Sequence, residues 1–167
     1  MKKIILCAIC AFCGLTANAQ AKFGHVTVSE IMQAMPEYTA ARTEIEKLQS
    51  QYEADLKSMQ EEFKNKYEAF QKEQETLPEN IKQRRFQELQ DMDQKIQQSY
   101  QDNQQALQKA SAEKMQAITA KILDAIKAIG QEDGYVYIMD LNSGLPYIST
   151  TLSTDVTAKV KTKLGLK

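Results

Sequence analysis

The chain has 167 residues, 43% hydrophobic and 26% charged, with three cysteines, one histidine and no tryptophan. Its 21 basic and 22 acidic residues leave a formal charge of −1, too mild to make nucleic acid a main partner. Few Gly and Pro, and a centre rich in Glu, Gln, Lys and Ala, argue against an ordinary globular core and for long helices.

Lys2 and Lys3 precede an almost wholly apolar run from Ile4 to Leu15, which ends in "TANAQ" with Ala17 and Ala19. This is the layout of a secretory signal peptide, with cleavage expected after Ala19. The run is shorter than the roughly 20 residues a spanning helix needs. Cys7, Cys10 and Cys13 all fall within it, and none follows the small residues that lipid attachment would need. The mature chain is therefore expected to lack cysteine in a compartment that permits disulfides, so packing and assembly must stabilise it. Without Lys2 and Lys3 it has 19 basic and 22 acidic residues, a balance of −3.

"FGHVTV" (23–28) alternates weakly and predicts a short strand. Ser29 is placed to cap a short helix through Ala34. Pro36 forces Met35 out of helical geometry and suits the first turn of a new helix, with no Gly or Pro from there to about Glu75. Ile45, Leu48, Tyr52, Leu56, Met59, Phe63, Tyr67 and Phe70 follow steps of three and four that repeat every 11 residues. After Pro78 the pattern resumes at Leu89, Met92, Ile96 and Tyr100, and Ile96, Leu107, Ile118 and Ile129 recur every 11. Two seams of matching period around one break predict an antiparallel helical hairpin, nearly straight, with arms of roughly 60 and 75 Å. The seam is thin from 97 to 112, where only Tyr100, Leu107 and small alanines can be buried.

The break itself, "KEQETLPENIKQRR" (72–85), reads as the tip of the hairpin. Thr76 and Glu79 form a capping-box pattern for the second helix, with Pro78 in its first turn. Gly130 is expected to end that helix, with Gly134 as a further breaker. "YVYIMDL" (135–141) predicts a strong strand, "NSG" (142–144) a turn, and "LPYIST" (145–150) a returning strand. Thr154 or Asp155 can cap a last helix that carries Val156, Val160 and Leu164 on one face.

The predicted class is α+β: a coiled-coil hairpin arm over 36–130, with its tip near 76–80, projecting from a small β-body made of 20–35 and 131–167. One protomer supplies too little sheet to bury a core, so the body is expected to oligomerise. Val26, Val28, Tyr135, Val136, Ile138, Tyr147, Val156 and Val160 are the candidate body residues for this.

"GHVTVSEIMQAMPEY", "ILDAIKAIGQEDGYVYIMD" and "LPYIS…STDVTAKV" together resemble the periplasmic chaperone family called Skp or OmpH-like, over essentially the whole mature chain. The matching features are the Pro36–Glu37 step, the Gly134–Tyr135 return, and Tyr147, Asp155, Thr157 and Val160 at the close. The resemblance implies a periplasmic homotrimer whose three arms enclose a cavity, holding unfolded outer-membrane proteins without ATP. Well-known members are strongly basic, whereas the first arm here, from Glu44 to Glu75, has nine acids and five bases. That departure argues against electrostatic capture and lipopolysaccharide binding, and leaves apolar contact within a confined space open to it.

Met59, Phe63, Tyr67, Phe70, Phe86, Met92 and Tyr100 are candidate client contacts, because Met and Tyr tolerate varied partners. Their spacing equally fits residues that only fill the seam. Lys82, Arg84 and Arg85 form a tip patch that could meet an anionic membrane surface, although local pairing with Glu79, Glu88 and the first arm is the favoured reading. His25, without cysteine beside it, reads as a strand residue and not a metal ligand. No phosphate loop, nucleophile elbow or triad is visible, so neither catalysis nor a cofactor is expected. A structural coiled-coil spacer or adaptor of the envelope is the alternative function.

Overall fold

The structure, a computed structural model, describes residues 21–144, 147–149 and 151–166. The signal segment and its cysteines lie outside these residues, as do Leu145, Pro146 and Thr150 of the expected returning strand.

The chain order is β1 (Lys22–Val26), α1 (Val28–Ala34), α2 (Pro36–Glu73), α3 (Glu79–Asp133), β2 (Tyr135–Asp140), β3 (Ser153–Asp155) and α4 (Thr157–Lys163). This is an α+β fold, in which two long helices form an antiparallel hairpin over a small sheet. At 38 and 55 residues, α2 and α3 are about 57 and 82 Å long.

The sheet is parallel, in the order β2-β1-β3. The expected hairpin after β2 is therefore corrected. Tyr147–Ser149 form no strand, and the third strand begins only at Ser153 and pairs with β1. A turn closed by the Ser153 N–H on the Ser149 carbonyl (3.1 Å) leads the chain into β3. Gly24 permits the tight β1–β2 approach, since a Cβ there would lie 3.0 Å from Ile138 Cγ1 and 3.2 Å from Tyr135 Cδ1. Opposite Lys22 and Phe23 the register shifts, and Val136 becomes the unpaired extra residue.

Three helix ends also differ from expectation. Val28 belongs to α1, not to the strand, and Thr27 stands at its N-cap without a side-chain bond. Asp140 from β2 takes the Val28 N–H instead (3.2 Å), so the start of α1 is capped from across the sheet. Helix α3 runs through Gly130 and stops at Gly134, which is left-handed at φ 71° and donates its N–H to the Gly130 carbonyl. At the tip, Thr76 bonds back to the Glu73 carbonyl (2.9 Å) and closes α2, while Pro78 occupies the N-cap of α3. No capping box forms there. At α4 the Asp155 carboxylate accepts the Thr157 N–H at 2.8 Å, with Val156 at the N-cap.

The core lies at the root of the hairpin. Ile118, Ile122, Ala125 and Ile129 on α3 step by four, three and four, so they form one stripe. They pack with Val26, Ile31, Met35, Ala41, Val156 and Val160. Ion pairs between Lys161 and Glu30 (2.5 Å), and between Lys159 and Asp133 and Lys163 and Glu132, hold α4 to α1 and the end of α3.

Candidate functional site

Two uncovered apolar surfaces lie at opposite ends of the hairpin. The first is near the tip. Phe63, Tyr67 and Phe70 fall at i, i+4 and i+7 on α2, hence on one face, and meet Phe86 and Leu89 of α3 around a groove of about 600 Å³. Phe63 and Tyr67 are stacked, with centroids 6.1 Å apart and an angle of 12°. Phe70 and Leu89 are buried and form the floor. Tyr67 and Phe86 are 43% and 53% exposed, far more than seam filling requires. Gln71, Gln74, Gln90 and Gln94 border the groove, and Asp93 is its one ionised lining residue.

Four of the candidate client contacts, Phe63, Tyr67, Phe70 and Phe86, thus come together. Met59 and Met92 are half-buried in the seam and do not line the groove. Tyr100 borders a separate hollow of about 310 Å³ with Leu56 and Ile96. The glutamine rim was not singled out from sequence, because a polar residue beside a helical seam looks the same whether it borders a groove or open solvent.

Two of the three tip cations are engaged locally, while Arg84 is exposed and has no ion pair among the described residues. Arg85 bonds Glu73 across the seam at 2.6 Å, and Lys82 lies 4.0 Å from Glu79. Lys66 bonds Glu88 at 2.6 Å, and its ammonium, more than the charges of Arg84 and Arg85, holds the Glu88 carboxyl below the usual range. Toward the root, Lys121 pairs with Glu37 (3.0 Å) and Lys114 with Glu44. Between these two sets, residues 45–65 of α2 carry no cross-arm ion pair among the described residues.

The second surface is the outer face of the sheet. Register places Phe23, His25, Tyr137, Met139, Ser153 and Asp155 on it, opposite the core-facing Gly24, Val26 and Ile138. Phe23 stacks on Tyr137 with centroids 4.9 Å apart. These rings, with Met139, Tyr147 and Leu152, line a hollow of about 640 Å³. Tyr147 is 78% exposed and Leu152 67%. Soluble monomers rarely leave such contiguous apolar patches open. Of the candidate body residues, Val26, Val156 and Val160 are sealed in the protomer's own core, and Val28, Tyr135 and Ile138 pack against it. Val136 and Tyr147 are exposed. His25 bonds Ser153 through Nδ1 (2.8 Å), as a strand residue of the body. Among the described residues no cluster could hold a metal ion, and no helix is long and apolar enough to cross a membrane.

The family model described as outer membrane protein (OmpH-like) matches residues 22–164, which is nearly all of the described chain. The chain belongs to the OmpH-like family. Direct comparison with curated proteins gives no match. Among solved structures, it is similar to a candidate outer membrane chaperone (OmpH-like) from Caulobacter crescentus, at a TM-score of 0.74 and 14% identity. That likeness covers 90% of this chain and 88% of the other, and at this identity it speaks for the fold.

Proposed function

We propose that this OmpH-like protein is an ATP-independent holdase of the periplasm that keeps unfolded outer-membrane proteins from aggregating. On this reading the body associates through the outer sheet face into a trimer, and the three hairpins surround the client. The observation that carries the proposal is the pair of uncovered apolar surfaces at the two ends of one long hairpin. At the tip, Tyr67 and Phe86 leave ring surface available to varied apolar groups. Weak contacts from three arms would add through high effective concentration, so retention needs no single tight site and no nucleotide.

The pairing of Arg85 with Glu73 and of Lys66 with Glu88 favours apolar capture over electrostatic attraction, and the acidic balance of α2 favours it too. The test is dilution of a urea-unfolded outer-membrane barrel protein into nucleotide-free buffer with the purified protein. Suppressed light scattering at a trimer-to-client excess is the expected result. Undiminished aggregation would overturn the reading.

A further inference from the structure

The tip groove has features that bear on which stretch of an unfolded chain it takes, and the inference below rests on the holdase reading. We infer that the groove binds an extended segment, neutral or cationic, with apolar side chains at alternate positions.

Three observations carry this. Phe63 and Tyr67 present parallel rings 6.1 Å apart. Alternate side chains on one face of an extended strand are about 6.6 Å apart, so consecutive apolar side chains of such a segment fall one on each ring. The border carries amides from both arms, including Gln74, Gln90 and Gln94, each with donors and an acceptor. An extended segment has unpaired backbone N–H and C=O groups for these amides to bond, whereas a helix has already satisfied its own. The charge is one-sided as well. Asp93 is the only ionised lining residue, while Lys66 and Arg85 border a second hollow that shares Phe70 and Leu89 with this groove, and are tied to Glu88 and Glu73. An acidic segment would meet Asp93 with no cation beside it.

A volume of about 600 Å³ is within the range of roughly 300–1,000 Å³ for small-ligand sites, so the groove takes a few side chains at a time. It therefore reads a local pattern and not a folded surface.

Because the protein has no tryptophan, tryptophan in a peptide is a clean reporter. Three synthetic peptides of about ten residues test the idea. One alternates Trp and Leu with Ser and Thr and ends in Lys. The second has the same residues reordered to helical spacing, and the third replaces Lys with Asp. The alternating Lys peptide should bind with a blue shift in emission, and the other two several-fold more weakly. Tyr67→Ser with Phe86→Ser changes exposed rings and should weaken it roughly tenfold, with helicity by circular dichroism unchanged. Asp93→Lys should invert the preference between the Lys and Asp peptides. Equal binding of the three peptides, or indifference to these substitutions, would overturn the inference. Capture of the unfolded barrel protein is measured in parallel. If it persists while the peptide pattern fails, this inference falls and the holdase stands. If both fail, the holdase reading falls with it.

Discussion

Lys66 of α2 reaches across the seam to Glu88 of α3, Nζ 2.6 Å from Oε1, and also lies 3.2 Å from Glu62 on its own helix. Its ammonium is held above the usual lysine value by Glu88 first and Glu62 second, and Glu88 is held below the usual carboxylate value. The depressed Glu88 makes the pair stabilising above its unfolded pKa, with that support lost as pH falls through the lower folded value. The raised Lys66 makes it stabilising below the unfolded lysine value, lost as pH rises through the higher folded one. Tip pairing should thus hold across the neutral range and weaken at both extremes. Both groups are exposed, so about 1 M salt, with a Debye length near 3 Å, should have a similar effect. Hydrogen exchange over 62–92 should accelerate in acid relative to the intrinsic rate, and less so in Lys66→Gln. An acid response of equal size in the variant would show that this pair does not hold the tip.

Gly130 and Gly134 should respond oppositely to alanine. Gly130 lies inside α3, and an added Cβ would meet only Ile138 Cδ1 at 3.7 Å, an ordinary contact. Gly130→Ala should stabilise by about 0.5–1 kcal/mol, the helix-interior difference. Gly134 has φ 71°, so Gly134→Ala should destabilise by about 1–2 kcal/mol. Urea melts of the two variants check the sign of each. Equal shifts would contradict the assigned end of α3.

Ile122 is fully buried, at 0% exposure, among residues from β1, α1, α2 and α4. Ile122→Ala should lower stability by about 2–5 kcal/mol. Leu107→Ala, in the thin half-buried midsection, should cost less. Hydrogen exchange should be fastest along the hairpin near residue 107. Uniform protection from root to tip would refute a weak midsection.

Asp155 accepts the Thr157 N–H, and its bonds to Thr157, the hydroxyl first, hold its carboxyl below the usual range despite partial burial. The Thr157 hydroxyl oxygen in turn accepts the Thr27 N–H (3.0 Å), so this carboxylate joins the start of α4 to the end of β1. Its support is present above the ordinary aspartate value and is lost as pH falls through the depressed one. Asp155→Ala should cost about 1 kcal/mol, as for a lost helix cap, and should reduce the acid sensitivity of α4. Unchanged melting from neutral to acid pH in both proteins would count against this role.

The hairpin was legible because its information is local. Steps of three and four, a proline at each helix start and an uninterrupted run between them specify two seams without knowledge of the fold. Sheet pairing was not legible, because β1 and β2 are joined in space by more than a hundred intervening residues. "NSG" followed by an apolar run mimics a hairpin signal, and only the parallel partner of β1 decides against it. Gly24 was a usable clue to a close strand approach that periodicity alone passed over. At Gly130 the helix continues because packing at the root outweighs a propensity cost of about 1 kcal/mol. The tip aromatics could be named from spacing, but whether Phe86 was buried or 53% exposed depended on its rotation about α3 relative to Phe63 and Tyr67. The outer sheet face was hidden for the same reason as the register, since Tyr137 and Met139 face outward only once Ile138 is placed against Gly24.

The central claim is that an assembled set of hairpins holds one unfolded client without nucleotide. Native mass spectrometry of the complex formed on diluting an unfolded outer-membrane barrel protein into the purified protein measures this directly. The account predicts three chains with one client, formed in the absence of ATP, and loss of that species when Tyr137→Glu places a charge on the outer sheet face. A client-bound monomer, or a trimer that forms but never carries client, would contradict it.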